Sequence, residues 1–140
     1  MRRKPQCGQK GGTLLEGAIT LLLFFMLIFG VLEFGRAYNL YQVATNAARE
    51  GARLSVAPFP GTNTLPTDAE VAAQVQKFLD SAGARGATVV VSQTAAGPEV
   101  NNVTPVYTQV DVTVPYRFLF FGFGTVNLGA HARMRNENSP

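Results

Sequence analysis

The sequence predicts an α+β protein in which a long N-terminal helix leads into a small head of one amphipathic helix and a three-stranded antiparallel sheet. Three observations predict this fold: one long apolar block, one stretch with helical periodicity, and three stretches in which apolar and polar residues alternate. The expected organisation is a leader over residues 1–11, a membrane and stalk helix over 12–54, a loop over 55–66 and a head over 67–140.

The apolar block runs from Gly12 to Leu32 and contains one acid, Glu16. Residues 17–32 carry no charge, and a bilayer core needs about 20 helical residues, so a spanning helix must include Glu16 at one end or Glu33 at the other. A carboxylate at that depth is rare and usually has a partner, which makes Glu16 a candidate functional residue. The alternative is that Glu16 lies at the headgroup boundary of an uncleaved anchor.

The segment before the block carries four basic residues and no acid, which predicts a cytoplasmic N-terminus and an exported head. The block does not end in the small residues of a secretory cleavage site. A lipoprotein signal is excluded because the chain's one cysteine, Cys7, precedes the block. We therefore expect a single-pass membrane protein whose head lies outside the cytoplasm.

Composition argues against nucleic-acid binding and against catalysis. Four of the twelve Lys and Arg residues lie in the leader. The rest of the chain has eight basic and nine acidic residues, so it has no excess of positive charge for binding nucleic acid. Without the leader there is no cysteine for a disulfide or a thiolate.

The one histidine, His131, falls on the polar face of a strand, and no two carboxylates have the spacing of a catalytic pair. We expect no enzyme activity, cofactor, metal or small-molecule substrate.

Helical character continues past the apolar block, because no proline occurs between Glu33 and Leu54. We expect one helix from about Thr13 to about Leu54. A ridge of very small side chains lies on one face of its second half, at the i, i+4, i+7 and i+8 positions: Ala44, Ala48, Gly51 and Ala52. Such a ridge lets another backbone approach closely, and that backbone can belong to another subunit or to the chain's own head.

The head begins after a loop that contains three prolines. Thr67 and Glu70 then form a capping-box pattern, which predicts a helix from Asp68 to Ala82, and Gly83 supplies its end. Its predicted apolar face consists of Val71, Val75, Phe78, Leu79 and Ala82.

Three strands are predicted, at Thr88–Thr94, Val106–Tyr116 and Thr125–Arg135. Their period-two pattern indicates an antiparallel meander whose apolar face is covered by the helix at 68–82, with the upper half of the stalk helix as a further candidate. The turn between the second and third strands is rich in phenylalanine: Phe118, Phe120, Phe121 and Phe123. This turn is a candidate apolar interface with another protein or a membrane surface, and the alternative is that it folds over the end of the sheet.

Gly11 is followed by four residues and then Glu16, at the junction of the basic leader and the apolar block. This arrangement resembles the processing site of type IV prepilins. Gly12 is a second candidate for the residue before the cut, although Glu16 would then come fourth. The resemblance implies that a prepilin peptidase removes the leader and that Glu16 pairs with the N-terminal amine of a neighbouring subunit.

The membrane helix, the residues Glu33 to Arg36 and the run from Asn46 to Arg53 together resemble the TadE-like family of tight-adherence (Flp, type IVb) pilus systems. The resemblance implies a type IV pilin-like fold and a minor, pseudopilin-like subunit in the bacterial inner membrane or the pilus. Its implied partners are the membrane, a prepilin peptidase, other pilins and pilus assembly proteins. Many of these proteins carry an aromatic residue directly after the glutamate, whereas this chain has Gly17. The alternative function is an uncleaved single-pass protein that presents a periplasmic or extracellular binding or scaffold domain.

Overall fold

The computed structural model describes residues 9–58, 64–95, 106–120, 122 and 124–136. In chain order the elements are α1 (Gln9–Ser55), α2 (Asp68–Ser81), β1 (Thr88–Ala95), β2 (Val106–Arg117) and β3 (Thr125–Asn136). The predicted α+β class is confirmed, with a long N-terminal helix, one further helix and a three-stranded antiparallel sheet.

The chain divides into two compact units, residues 1–36 and residues 37–140. We call the second the head unit. It contains the C-terminal part of α1 in addition to α2 and the sheet. The predicted head began only at residue 67, so the structure groups part of the predicted stalk with the head.

In the first unit, α1 is an apolar helix whose large side chains are exposed. Leu14 is 76% exposed, Leu22 67% and Leu27 65%. Within the part of the chain that the structure describes, α1 is the one helix long and apolar enough to cross a membrane. Exposure of this kind is unfavourable in water and favourable in hydrocarbon, as a membrane-spanning helix requires.

The C-terminus of α1 is held by local hydrogen bonds. The Ser55 hydroxyl donates to the Ala52 carbonyl at 2.7 Å, and the Ala57 amide donates to the Leu54 carbonyl at 3.2 Å. Pro58 follows, and a proline disfavours helical geometry in the residue before it. The helix therefore ends where the sequence changes from alanine-rich to proline-rich.

The capping box predicted for α2 is present. The Glu70 amide donates to the Thr67 hydroxyl oxygen at 3.3 Å, and the Thr67 amide donates to the Glu70 carboxylate at 2.8 Å. At the other end, Gly83 adopts a φ of 78°, and the Ala84 amide donates to the Leu79 carbonyl at 2.9 Å. This left-handed glycine is the usual way to satisfy the last carbonyls of a helix.

The sheet has the strand order β1-β2-β3, with antiparallel neighbours. Alternate residues of β2 point into the core, and its buried side chains are Thr108, Val110, Val112, Val114 and Tyr116. Val110 lies opposite Val91 of β1 and Ala132 of β3. On the opposite, more polar face, the Arg133 guanidinium lies 4.0 Å from the centre of the Tyr107 ring.

The core of the head unit is formed by α1, α2 and the inner face of the sheet. Its members from α1 are small, whereas α2 and β2 supply larger side chains: Ala44, Ala47, Ala48 and Ala52; Val71, Val75 and Leu79; Val110, Val112 and Val114. The predicted apolar face of α2 was too wide, because Phe78 is 44% exposed and Ala82 is exposed. The buried stripe of α2 is confined to three residues one turn apart.

Candidate functional site

Glu16 lies on an exposed, apolar stretch of α1. Its neighbours Leu14 and Leu15 are 76% and 65% exposed, and its backbone carbonyl accepts a hydrogen bond from the Thr20 hydroxyl at 2.9 Å. The structure shows no ion pair between Glu16 and any residue whose side chain it describes. A carboxylate in this position is costly in hydrocarbon unless an opposite charge lies beside it.

Gly17 leaves a shallow notch beside Glu16. The notch is lined by Thr13, Glu16, Gly17, Thr20, Leu21 and Phe24. A Cβ atom at Gly17 would meet nothing within 4 Å, so the helix itself does not require glycine there. The missing side chain leaves the Glu16 carboxylate accessible from this side.

The two candidate processing residues, Gly11 and Gly12, lie near the N-terminus of α1 and are exposed. A side chain at either position would have open space around it. A peptidase could therefore reach this segment without displacing other parts of the described chain.

A second acid of α1, Glu33, was not predicted as a site residue. It is 3% exposed, and the Arg36 guanidinium donates to its Oε1 at 3.3 Å. The ion pair between Glu33 and Arg36 was predictable from the sequence, because the two residues are three positions apart on one helix and this spacing brings side chains together. A paired acid can be tolerated at the edge of an apolar segment, whereas Glu16 has no such partner among the side chains of α1 that the structure describes.

The small-residue ridge packs into the head unit. Ala44, Ala48 and Ala52 are 0% exposed, and Gly51 is buried as well. A Cβ atom at Gly51 would lie 2.5 Å from Val75 Cγ2 and 3.3 Å from Val110 Cγ1. Side chains of α2 and β2 of the same chain therefore pack against the ridge.

The phenylalanine-rich turn is divided between core and surface. The Phe118 ring is half-buried and packs edge-on against Tyr116, with ring centres 5.2 Å apart. Leu119 and Phe120 are 65% and 49% exposed. Phe121 and Phe123 lie outside the described residues.

His131 is exposed on β3, in register with Asp111 of β2. Among the described residues, no cluster of three or more His, Cys, Asp or Glu side chains could hold a metal ion. The arrangement that remains is a long helix with one accessible carboxylate in its described apolar segment, Glu16, and with a C-terminal part that helps to build the core of the head unit.

Comparison with known proteins agrees with this arrangement. Residues 11–53 match the family model described as TadE-like protein, in agreement with the resemblance found in this part of the sequence. No curated protein and no solved structure matches the chain. The match and the apolar helix together support a single-pass membrane protein.

Proposed function

Since residues 11–53 are TadE-like, we propose that this chain is a membrane-anchored, pseudopilin-like minor subunit for assembly of a tight-adherence (Flp, type IVb) pilus. Its N-terminus lies in the cytoplasm, α1 spans the inner membrane and the head unit lies in the periplasm or outside the cell. The protein acts by assembly through α1 and carries out no catalysis. Its partners are a prepilin peptidase, other pilins or pseudopilins, and pilus assembly proteins.

The observation that carries this proposal is the position of Glu16. It is a carboxylate on an exposed apolar helix, and no basic side chain among those described lies against it. The N-terminal amine of a neighbouring, processed subunit would supply the missing positive charge. Pairing of the two charges in hydrocarbon would then align neighbouring helices at a fixed height, because neither charge is tolerated there alone.

Cleavage after Gly11 would create that amine. The family match covers both Gly11 and Glu16 and leaves out residues 1–10. Removal of the leader also removes Cys7 and four basic residues. The processed chain would begin at Gly12, one helical turn before Glu16.

The test is the mass of the N-terminus of the membrane-extracted protein, expressed with and without a prepilin peptidase. We expect a chain that begins at Gly12, and only when the peptidase is present. Gly11→Leu should block cleavage, whereas the matched control Gly12→Ala should be cleaved. A chain that begins at Thr13 would assign Gly12 as the residue before the cut, and a chain that begins at Met1 under both conditions would contradict the processing.

One feature favours a second candidate function, a permanent anchor whose head unit binds a partner. Gly17 stands where many proteins of this kind carry an aromatic residue next to the glutamate. The same measurement separates the two functions, since a permanent anchor would retain its leader and Cys7 in the presence of the peptidase.

A further inference from the structure

Two tyrosines of α1, Tyr38 and Tyr41, are exposed a short distance after the apolar segment. Tyr38 is 53% exposed and Tyr41 is 43% exposed. They are three residues apart, so both lie on one side of the helix. Neighbouring residues of the same turns, Leu40, Val43 and Ala44, pack in the core of the head unit. The two exposed rings therefore face away from that core.

The exposed side chains of α1 change in character at these tyrosines. Before them the exposed side chains are mostly apolar, from Leu14 to Phe34, which is 71% exposed. After them the exposed side chains of the helix include several polar and charged ones: Gln42, Asn46, Arg49, Glu50 and Arg53. A tyrosine ring is apolar and carries one polar hydroxyl, so it is intermediate between the two sets. Tyrosine is enriched where a membrane helix leaves the hydrocarbon and enters the headgroup layer.

The spacing along α1 agrees with the thickness of a bilayer. The helix is uninterrupted from Gln9 to Ser55. The segment from Leu14 to Phe34 extends over about 30 Å, which is the thickness of the hydrocarbon core. The Cα atom of Tyr41 then lies about 10 Å beyond Phe34 along the axis. Helical side chains point back toward the N-terminus, so the ring reaches into the headgroup layer, which is about 5 to 8 Å thick on each side.

We propose that Tyr38 and Tyr41 insert into the headgroup layer on the non-cytoplasmic side of the membrane and hold α1 at a fixed depth. The binding partner is the layer of lipid carbonyl and phosphate groups, which accept hydrogen bonds from the hydroxyls while the rings contact the adjoining acyl chains. The inference rests on the proposed membrane span of α1. It adds to the proposed function because the depth of α1 sets the depth of Glu16, which lies within about one helical turn of the opposite edge of the hydrocarbon.

The test is tryptophan fluorescence of the full-length chain in lipid nanodiscs that hold one copy each. The chain has no tryptophan, so Tyr38→Trp or Tyr41→Trp introduces a single fluorophore. The discs contain phosphatidylcholine brominated either near the headgroup or near the end of the acyl chain, and bromine quenches at short range. We expect stronger quenching by the shallow bromine than by the deep one for both variants.

Two control variants calibrate this measurement. Leu22→Trp lies in the middle of the apolar segment, where the side chain is 67% exposed, and should be quenched more by the deep bromine. Tyr107→Trp is the same substitution on β2 and should be quenched less by the shallow bromine than either tyrosine variant of α1.

A second measurement keeps both tyrosines, because tryptophan itself prefers the interface. Leu32→Trp, at a position that is 52% exposed near the end of the apolar segment, reports the depth of α1. Adding Tyr38→Ser and Tyr41→Ser should change the ratio of shallow to deep quenching of this reporter. The matched control adds Asn39→Ser and Asn46→Ser, at two exposed polar positions, and should leave the ratio unchanged. An equal ratio in all three chains would overturn the anchoring.

Two further outcomes would contradict the inference. Free access of acrylamide to Tyr38→Trp and Tyr41→Trp, without quenching by either lipid, would place the tyrosines in water. Protection that appears only when several copies share a disc would show that another copy of the chain covers them.

Failure of this inference and failure of the membrane anchor can be distinguished. If α1 does not enter the membrane, the deep bromine does not quench Leu22→Trp, and both are overturned. Deep quenching of Leu22→Trp together with tyrosines in water overturns the inference alone. The measurements need neither leader cleavage nor pili, so a processed N-terminus with water-exposed tyrosines would support the proposed processing and contradict only the contact with the headgroups.

Discussion

At Gly51 there is no space for a side chain, because a Cβ atom would lie 2.5 Å from a methyl group of Val75. We expect Gly51→Ala to lower the free energy of unfolding by about 1 to 3 kcal/mol, the usual cost of overpacking a core. The change in stability is measured by thermal unfolding of the full chain in detergent, monitored by circular dichroism. The matched control is Gly129→Ala, where a Cβ atom meets nothing within 4 Å, and equal melting temperatures for both variants would contradict the prediction.

Thr108 places a polar hydroxyl group in the apolar core. Its side chain is 0% exposed, and its Oγ1 has no hydrogen-bond partner among the residues that the structure describes. Thr108→Val should raise the free energy of unfolding by about 1 kcal/mol, because it removes a buried, unsatisfied hydroxyl while keeping the shape. The control is Thr113→Val, at a half-buried position on the opposite face of β2, which should change the free energy of unfolding little. A lower melting temperature for Thr108→Val would show that the hydroxyl is satisfied in solution.

At the scale of single elements, the capping box of α2 makes the head unit sensitive to pH. The Thr67 backbone amide and hydroxyl donate to Glu70 and lower the pKa of its carboxyl. A lowered pKa in the folded state contributes stability above the ordinary glutamate pKa of about 4.3, and this contribution is lost as the pH falls through the folded-state pKa.

We therefore expect Glu70→Gln to destabilise the chain at neutral pH and to have little effect well below the ordinary glutamate pKa. Thr67→Ala should cost about 1 kcal/mol at neutral pH through loss of the N-cap. Melting temperatures measured across the pH range check both variants. An effect of Glu70→Gln that is independent of pH would show that the charge of the carboxylate is not involved.

The secondary structure elements were predictable from the sequence because each has a strong local signal. The strand β2 alternates apolar and polar residues over its whole length, and α2 begins at a capping box and ends near Gly83. The sequence predicted less well which residues of each element are buried. Phe78 fits the helical period of the buried stripe of α2 but is exposed, since burial depends on the neighbouring element and not on periodicity alone.

The candidate site was predictable to a similar extent. A lone acid in an apolar block is visible in the sequence, so Glu16 could be identified directly. The burial of Glu33 could not be predicted, because the sequence does not indicate which side chains of a long helix are buried. The ridge at Ala44, Ala48, Gly51 and Ala52 was recognisable as a close-packing surface, whereas its neighbour, the chain's own α2 and β2, required the structure.

At the scale of the whole molecule, the boundary between the two compact units lies within α1. The head unit begins at residue 37 and includes the buried alanines of α1. We expect a truncated chain over residues 37–140 to fold cooperatively, and a chain over residues 67–140 to lack one side of its core and remain unfolded. Denaturant titration and the dispersion of amide NMR signals measure this. A cooperative transition for 67–140 would contradict the role of α1 in the core.

The whole-molecule role of Glu16 has its own test. We expect Glu16→Leu to leave membrane insertion intact, because the helix becomes more apolar, and to abolish pilus assembly, because the neighbouring amine loses its partner. Membrane fractionation and counting of pili in cells measure the two outcomes. Thr13→Leu, a polar-to-apolar change on the same notch, is the control, and normal piliation of Glu16→Leu would refute the proposed role.

The continuity of α1 from the apolar segment into the head core also limits how this protein can diverge. Residues 37–53 belong both to the TadE-like segment and to the head unit. A substitution in these residues therefore changes the TadE-like segment and the head unit together. A head of unrelated sequence could replace this one only if it offered an equally close surface to the alanines and to Gly51. Inheritance of the helix therefore restricts the variety of heads that can accompany it.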